Sequence, residues 1–258
     1  MRTPGDDEDG RDAWSDGVPS FAPGPPASNR DGRLGWPPGD EVRVPVGRFG
    51  LTGWLSLPSA ARTVVTVTGE GAGGRRGPLG RAVASRLHLC GLGTLTLDLP
   101  VDSDPVEHRG ADVGGLAARV RAVSHWLGQE TGRSVGGVGI GPLVPAMLRA
   151  AADESVTALA CVGGRPELAG PAALTRVATP ALFVVGGLDS RGPGLGRLVS
   201  GWMRCPRRVA VVPGATVDLS RGGVPADVAG LVGDWFSEGA RNAPRPAGDA
   251  GLSAARPD

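Results

Sequence analysis

Lysine and tyrosine are absent from this chain, and isoleucine occurs once, at position 140. Without lysine no nucleotide-binding P-loop is possible, because that loop needs a lysine to reach the phosphates. All 27 basic residues are therefore arginine. Codon bias in a GC-rich genome explains this, and the 44 glycines and 24 prolines fit the same bias. Excess charge is also missing, with 27 basic residues against 26 acidic ones. That balance gives no reason to expect a nucleic acid or a membrane surface as partner. Cysteine is scarce. Cys90, Cys161 and Cys205 lie far apart, and their odd number argues against a disulfide framework. A reducing, cytoplasmic interior suits them. The amino terminus is acidic and lacks an apolar core, so no secretory signal is expected. No run of about 18 apolar residues is present, so no membrane-spanning helix is expected.

Metal motifs are lacking as well. There is no HExxH and no Cys/His spacing that suits zinc. Asp102, Asp104, Glu107, His108 and Asp112 cluster in residues 100–112, but the calcium-loop pattern is missing. This segment reads as a solvated rim or lid loop, and neither metal nor cofactor is expected. His88 and His125 fall within helical patterns and read as structural.

What is present is an alternation of strands and helices. Residues 1–40 hold seven prolines, eight acids and four arginines without any period, and read as a disordered tail. Residues 240–258 read as a second tail, which leaves 41–239 as one folded domain. EVRVPVG (41–47) and GLTGWLSLP (50–58) form a hairpin signature. Six short apolar runs follow, at 62–68, 93–99, 134–140, 156–162, 181–187 and 207–213. Runs this apolar fit strands buried on both faces of a mostly parallel sheet. Between them lie helical stripes, such as Leu79, Val83, Leu87 and Cys90, then Val113 to Leu127, then Val228 to Trp235. The fold class is α/β, with a mostly parallel doubly wound sheet preceded by an N-terminal β-hairpin. Ligands of such sheets bind outside the carboxyl ends of the strands.

Gly69-Glu70-Gly71-Ala72-Gly73-Gly74 follows the run 62–68 and matches G-x-G-x-x-G, with Asp98 available as a ribose acid. A dinucleotide helix opens inside its glycine turn, whereas Pro78 here comes too late for that. Dinucleotide binding through 69–74 therefore stands only as an alternative.

Five blocks together resemble the α/β-hydrolase superfamily, in particular its bacterial dienelactone-hydrolase-like group. They are Val42–Gly47, Leu97-Asp98-Leu99, Gly163–Gly170 (GGRPELAG), Val185–Asp189 (VGGLD) and Val212–Thr216 (VPGAT). The resemblance implies the hydrolase fold over 41–239, with a nucleophile, an acid and a histidine in that chain order. It places the acid at Asp189, for which a plain turn-capping role is the alternative. It places the nucleophile within Gly139-Ile140-Gly141-Pro142-Leu143, where Gly141 stands in place of serine. Pro142 follows, so the backbone N–H that would hold an oxyanion is missing. Leu143 replaces a small glycine, and its bulk is expected to fill space that a substrate would need. The histidine should follow the VPGAT block, yet Val217 comes next, and Thr68 occupies the start of the oxyanion loop.

The expectation is a hydrolase-fold protein without catalysis that binds a small molecule or a protein. Its pocket is expected to involve Gly69, Glu70, Gly71, Gly141, Pro142, Leu143, Cys161 and Val217. An active hydrolase with a relocated nucleophile is the other alternative, with Cys161 attacking and His108 as base.

Overall fold

The computed structural model describes residues 37–47, 49–99, 112–153, 156–190, 201–217 and 219–242, together with Gly194 and Val199. The two predicted tails lie outside the described residues except for 37–40 and 240–242, which belong to the folded part. Pro37 is buried and accepts a hydrogen bond from Trp54 Nε1 at 3.1 Å.

Eight strands form one sheet in the order β1-β2-β4-β3-β5-β6-β7-β8. The hairpin is β1 (Asp40–Val46) and β2 (Phe49–Ser56), antiparallel, with β2 also antiparallel to β4. The other strands run parallel: β3 (Thr63–Gly69), β4 (Gly93–Asp98), β5 (Ser134–Ile140), β6 (Leu159–Val162), β7 (Ala181–Gly186) and β8 (Arg207–Val212). Each lies where an apolar run predicts it, although β6 begins three residues later than the run at 156. There Thr157 gives both its N–H and its hydroxyl to Val135 O, at 2.9 and 3.2 Å.

Helices cover both faces. α1 (Pro78–Leu89) and α5 (Val224–Asn242) lie on one, while α2 (Val113–Thr131), α3 (Val144–Ala151) and the single turn α4 (Pro171–Leu174) lie on the other. Alternation along each strand divides the core. In β6, Leu159 and Cys161 join the α2/α3 side, and Ala160 and Val162 join the α1/α5 side. Glycines in β5 let both layers approach closely. A Cβ at Gly136 would sit 2.6 Å from Phe236 of α5, and one at Gly137 would sit 2.6 Å from Met147 Sδ of α3. Of the buried sheet hydroxyls, Thr66 donates to Gly136 O and Thr68 to Val138 O, at 3.2 and 3.1 Å, whereas those of Thr94 and Thr96 in β4 find no partner among the described residues.

Two further contacts tie connections to the core. Arg133 donates from its guanidinium to the carbonyls of Pro58, Ser59 and Ala61, which clamps the β2–β3 turn. Ser56, fully buried, lies 2.8 Å from His88 Nδ1 and donates to Pro38 O. A hydroxyl has one proton, so His88 supplies the other from Nδ1. His88 is thus a structural residue, as its place in a helical pattern predicts.

Core packing makes the first prediction. Leu87 is 0% exposed on α1, whereas Leu89 is 56% exposed on the same helix. Leu87→Ala is expected to cost about 2–5 kcal/mol in urea unfolding. Leu89→Ala should stay within about 0.5 kcal/mol of the parent. Equal losses would show that α1 does not pack this face on the sheet.

Candidate functional site

The carboxyl ends of β3, β5 and β6 and the segment after β8 converge on one cleft of about 130 Å³. Glu70 and Gly73 come from the β3–α1 connection, with Leu79 from the first turn of α1. The tip of β5 adds Ile140, Gly141 and Pro142, and the end of β6 adds Val162, Gly163 and Gly164. Val217, Leu219 and Ser220 close the far side. The walls Leu79, Ile140, Val162 and Leu219 belong to the α1/α5 half of the core.

At the tip of β5 the backbone turns sharply through a 3-10 turn, Gly141–Leu143, into α3. Gly141 has φ +59°, and a Cβ built there meets nothing within 4 Å. The turn therefore has the left-handed geometry of an elbow and room for a side chain, but none is present. Pro142 follows at an exposed position and has no N–H to offer. Gly164, at φ +73°, passes directly over this turn, so a Cβ there would collide with Gly141 O. Its close approach explains why glycine follows β6.

Gly141 and Val217 lie along the same cleft, with Val217 49% exposed. Asp189 sits in the turn after β7, nearly buried, and its N–H donates to Gly186 O at 3.1 Å. It does not line the cleft. Thr68 is fully buried and commits its hydroxyl to Val138 O.

Four of the expected pocket residues lie elsewhere. Leu143 is fully buried in the α2/α3 core, so its bulk supports α3 from within and does not fill the cleft. Cys161 is fully buried on the same side, because alternation along β6 turns it away from the face where Val162 meets the cleft. Burial pushes the Cys161 thiol far above its ordinary range, and nearby Cys205 adds to the shift. A thiol held neutral in this way is a poor nucleophile. Gly69 is buried at the end of β3, where a Cβ would strike Gly73 O, and Gly71 is exposed at φ +56° without lining the cleft. Reading the sequence alone missed Leu79, Ile140, Val162, Gly163, Gly164, Leu219 and Ser220. A usable signal was the Gly163-Gly164 pair directly after an apolar run, which marks a close backbone crossing.

His108 and the acids at 102, 104 and 107 lie outside the described residues. Asp112 caps α2 by accepting from the Gly115 N–H at 3.0 Å. Among the described residues no group of three His, Cys, Asp or Glu side chains is placed to hold a metal. The glycine-rich turn holds a single 3-10 turn, Gly71–Gly73, and does not open an α-helix, since α1 begins at Pro78. Asp98 Oδ1 accepts from the Arg75 N–H at 2.6 Å, so it is committed to holding that connection. No helix among the described residues is long and apolar enough to cross a membrane.

No family model matches the chain. A dienelactone hydrolase from Anabaena variabilis ATCC 29413 is similar in structure, with a TM-score of 0.70 and 32% identity, covering 79% of this chain and 99% of that one. Est1E from Butyrivibrio proteoclasticus shares the fold, with a TM-score of 0.66, 14% identity, and 79% and 100% coverage. A protein of Mycobacterium tuberculosis strain H37Rv, provisionally named a phosphoribosyl transferase, is 34% identical over 206 residues, which is 76% of this chain. The chain spans 46% of that relative's length. Given a mostly parallel eight-stranded sheet with its hairpin edge, a turn of elbow geometry at the end of β5, and a dienelactone hydrolase matched over nearly its whole length, the chain belongs to the dienelactone-hydrolase-like group of the α/β-hydrolase superfamily.

Proposed function

We propose that this protein is a non-catalytic member of its group and binds a small ligand in the cleft without hydrolysing it. One observation carries the reading. The elbow tip and the position following the VPGAT block face one cleft, and Gly141 and Val217 bring no reactive group to it. Acyl transfer needs a nucleophile activated by a base and an N–H aimed at the oxyanion. Here both side chains are lacking, and Pro142 lacks the donor. The relocated alternative gains no support from Cys161, which is buried on the other side of the sheet. The transferase name of the mycobacterial relative points to an anionic phosphoribosyl group. Among the described residues the cleft offers Glu70 and no arginine to such a group.

The test is an assay of purified protein against short-chain aryl esters and a dienelactone, with Asp189→Ala alongside. Both proteins are expected to give the same background rate. Turnover that the parent shows and the variant loses would overturn the reading.

A further inference from the structure

The cleft has a polarity of its own, and its consequence rests on the binding reading above. We infer that the cleft selects small organic cations, taking an ammonium or guanidinium end where a hydrolase would hold a developing anion.

Three observations lead to this. First, among the described residues the only formal charge on the lining is the Glu70 carboxylate. No side chain among the described residues pairs with it. Arg75, from the same connection, is committed to Glu41 at 3.2 Å, and Arg76 is exposed on the turn without lining the cleft.

Second, hydrogen-bond donors have been withdrawn from this edge. Helix starts normally attract anions through free N–H groups. α1 opens on Pro78, the 3-10 turn has Pro142 at its second position, and α3 has Pro145 at its second. Each proline removes an N–H. The Gly73 and Gly163 N–H groups are used internally, on Glu70 O at 3.1 Å and Val184 O at 2.8 Å. Among the described lining residues, a carboxylate or phosphate would meet one side-chain donor, the Ser220 hydroxyl, and one like charge. A cation would meet a carboxylate.

Third, the cleft carries the apolar side chains Leu79, Ile140, Val162 and Leu219 beside polar surface, and its volume is about 130 Å³. That is well below the roughly 300 Å³ at which ordinary ligand pockets begin. The fitting ligand is a small amine with a short apolar body.

Thermal unfolding with three matched four-carbon probes tests this, namely n-butylammonium chloride, n-butanol and sodium butyrate, each against sodium chloride at equal concentration. Butylammonium is expected to raise Tm by about 2 °C or more at saturation. Glu70→Gln should abolish that rise while keeping the parent's Tm without ligand, because Glu70 is exposed and pairs with no side chain among the described residues. A larger rise with butyrate, or a butylammonium effect that survives in Glu70→Gln, would overturn the inference. A rise with butanol or butyrate but none with butylammonium removes the cation preference and leaves the binding reading standing. No rise with any of the three overturns both.

Discussion

Gly141→Ser, Pro142→Ala and Val217→His, combined in one chain, are expected to raise aryl-ester hydrolysis at least about 100-fold, while each change alone leaves it at background. The backbone already provides for the first change. Gly141 is held at φ +59° with open space where a Cβ would stand, so a serine Cβ there meets no neighbour within 4 Å. Its cost is that of a non-glycine residue in the left-handed region, about 1–2 kcal/mol. Val217 is half exposed on the same cleft, so a larger imidazole has room. Asp189 remains in the turn after β7. Pro142→Ala returns the missing N–H, and such a donor is typically worth about 10²–10³ in rate. A positioned base contributes about 10²–10⁴. Groups that act as a unit are strongly non-additive, so single variants gain little. Steady-state rates on an activated acetate ester, with a search for an acyl-enzyme burst, provide the measurement. A triple variant at background would mean that positions 141 and 217 do not come within proton-transfer reach.

Gly164→Ala is expected to destabilise the fold by about 3 kcal/mol or more, whereas Gly141→Ala should cost about 1–2 kcal/mol. The two glycines lie in one cleft and both have positive φ, +73° and +59°. They differ in what a Cβ would meet. At Gly141 it meets nothing within 4 Å, while at Gly164 it collides with Gly141 O and comes 3.1 Å from Val144 Cβ. A backbone atom cannot swing aside as a flexible side chain can, so the β6 connection or the elbow itself must move. For a domain of this size each 1 kcal/mol shifts Tm by about 2–4 °C, which separates the two variants in a thermal melt. Equal shifts would show that the crossing of the β6 connection over the elbow is loose.

Much of the fold was legible because the buried strands are short apolar runs, such as TVVTVTG in β3 and GTLTLD in β4. Its helices were legible because leucine and valine recur every three or four residues. The hairpin could be read from the alternation in EVRVPVG. The site was legible in part. Gly141, Pro142 and Val217 stand in blocks whose order matches a family, and that order brings them to one sheet edge. Leu143 and Cys161 were misplaced for a geometric reason. Each side chain near the carboxyl edge leans to one face or the other, and the cleft lies on the α1/α5 face alone. Position along the chain does not reveal which face a crossover leaves open. Leu219 and Ser220 escaped notice because they sit in a connection without regular structure, where no period marks the inward side. His108 and its acidic neighbours lie outside the described residues.

Pro142 has a consequence for how this chain can change over time. On the proposed non-catalytic reading, ester chemistry at this elbow needs three altered codons, two adjacent and the third far along the chain. None of the single steps is expected to yield turnover, so selection for hydrolysis has no gradient to follow. Proline at the start of a helix also pre-sets the backbone there, and replacing it gives up that preorganisation. The shortest way back therefore begins with steps that are neutral or slightly unfavourable. On the non-catalytic reading proposed above, the elbow acts as a ratchet: its shape is kept while hydrolysis through it is hard to reach.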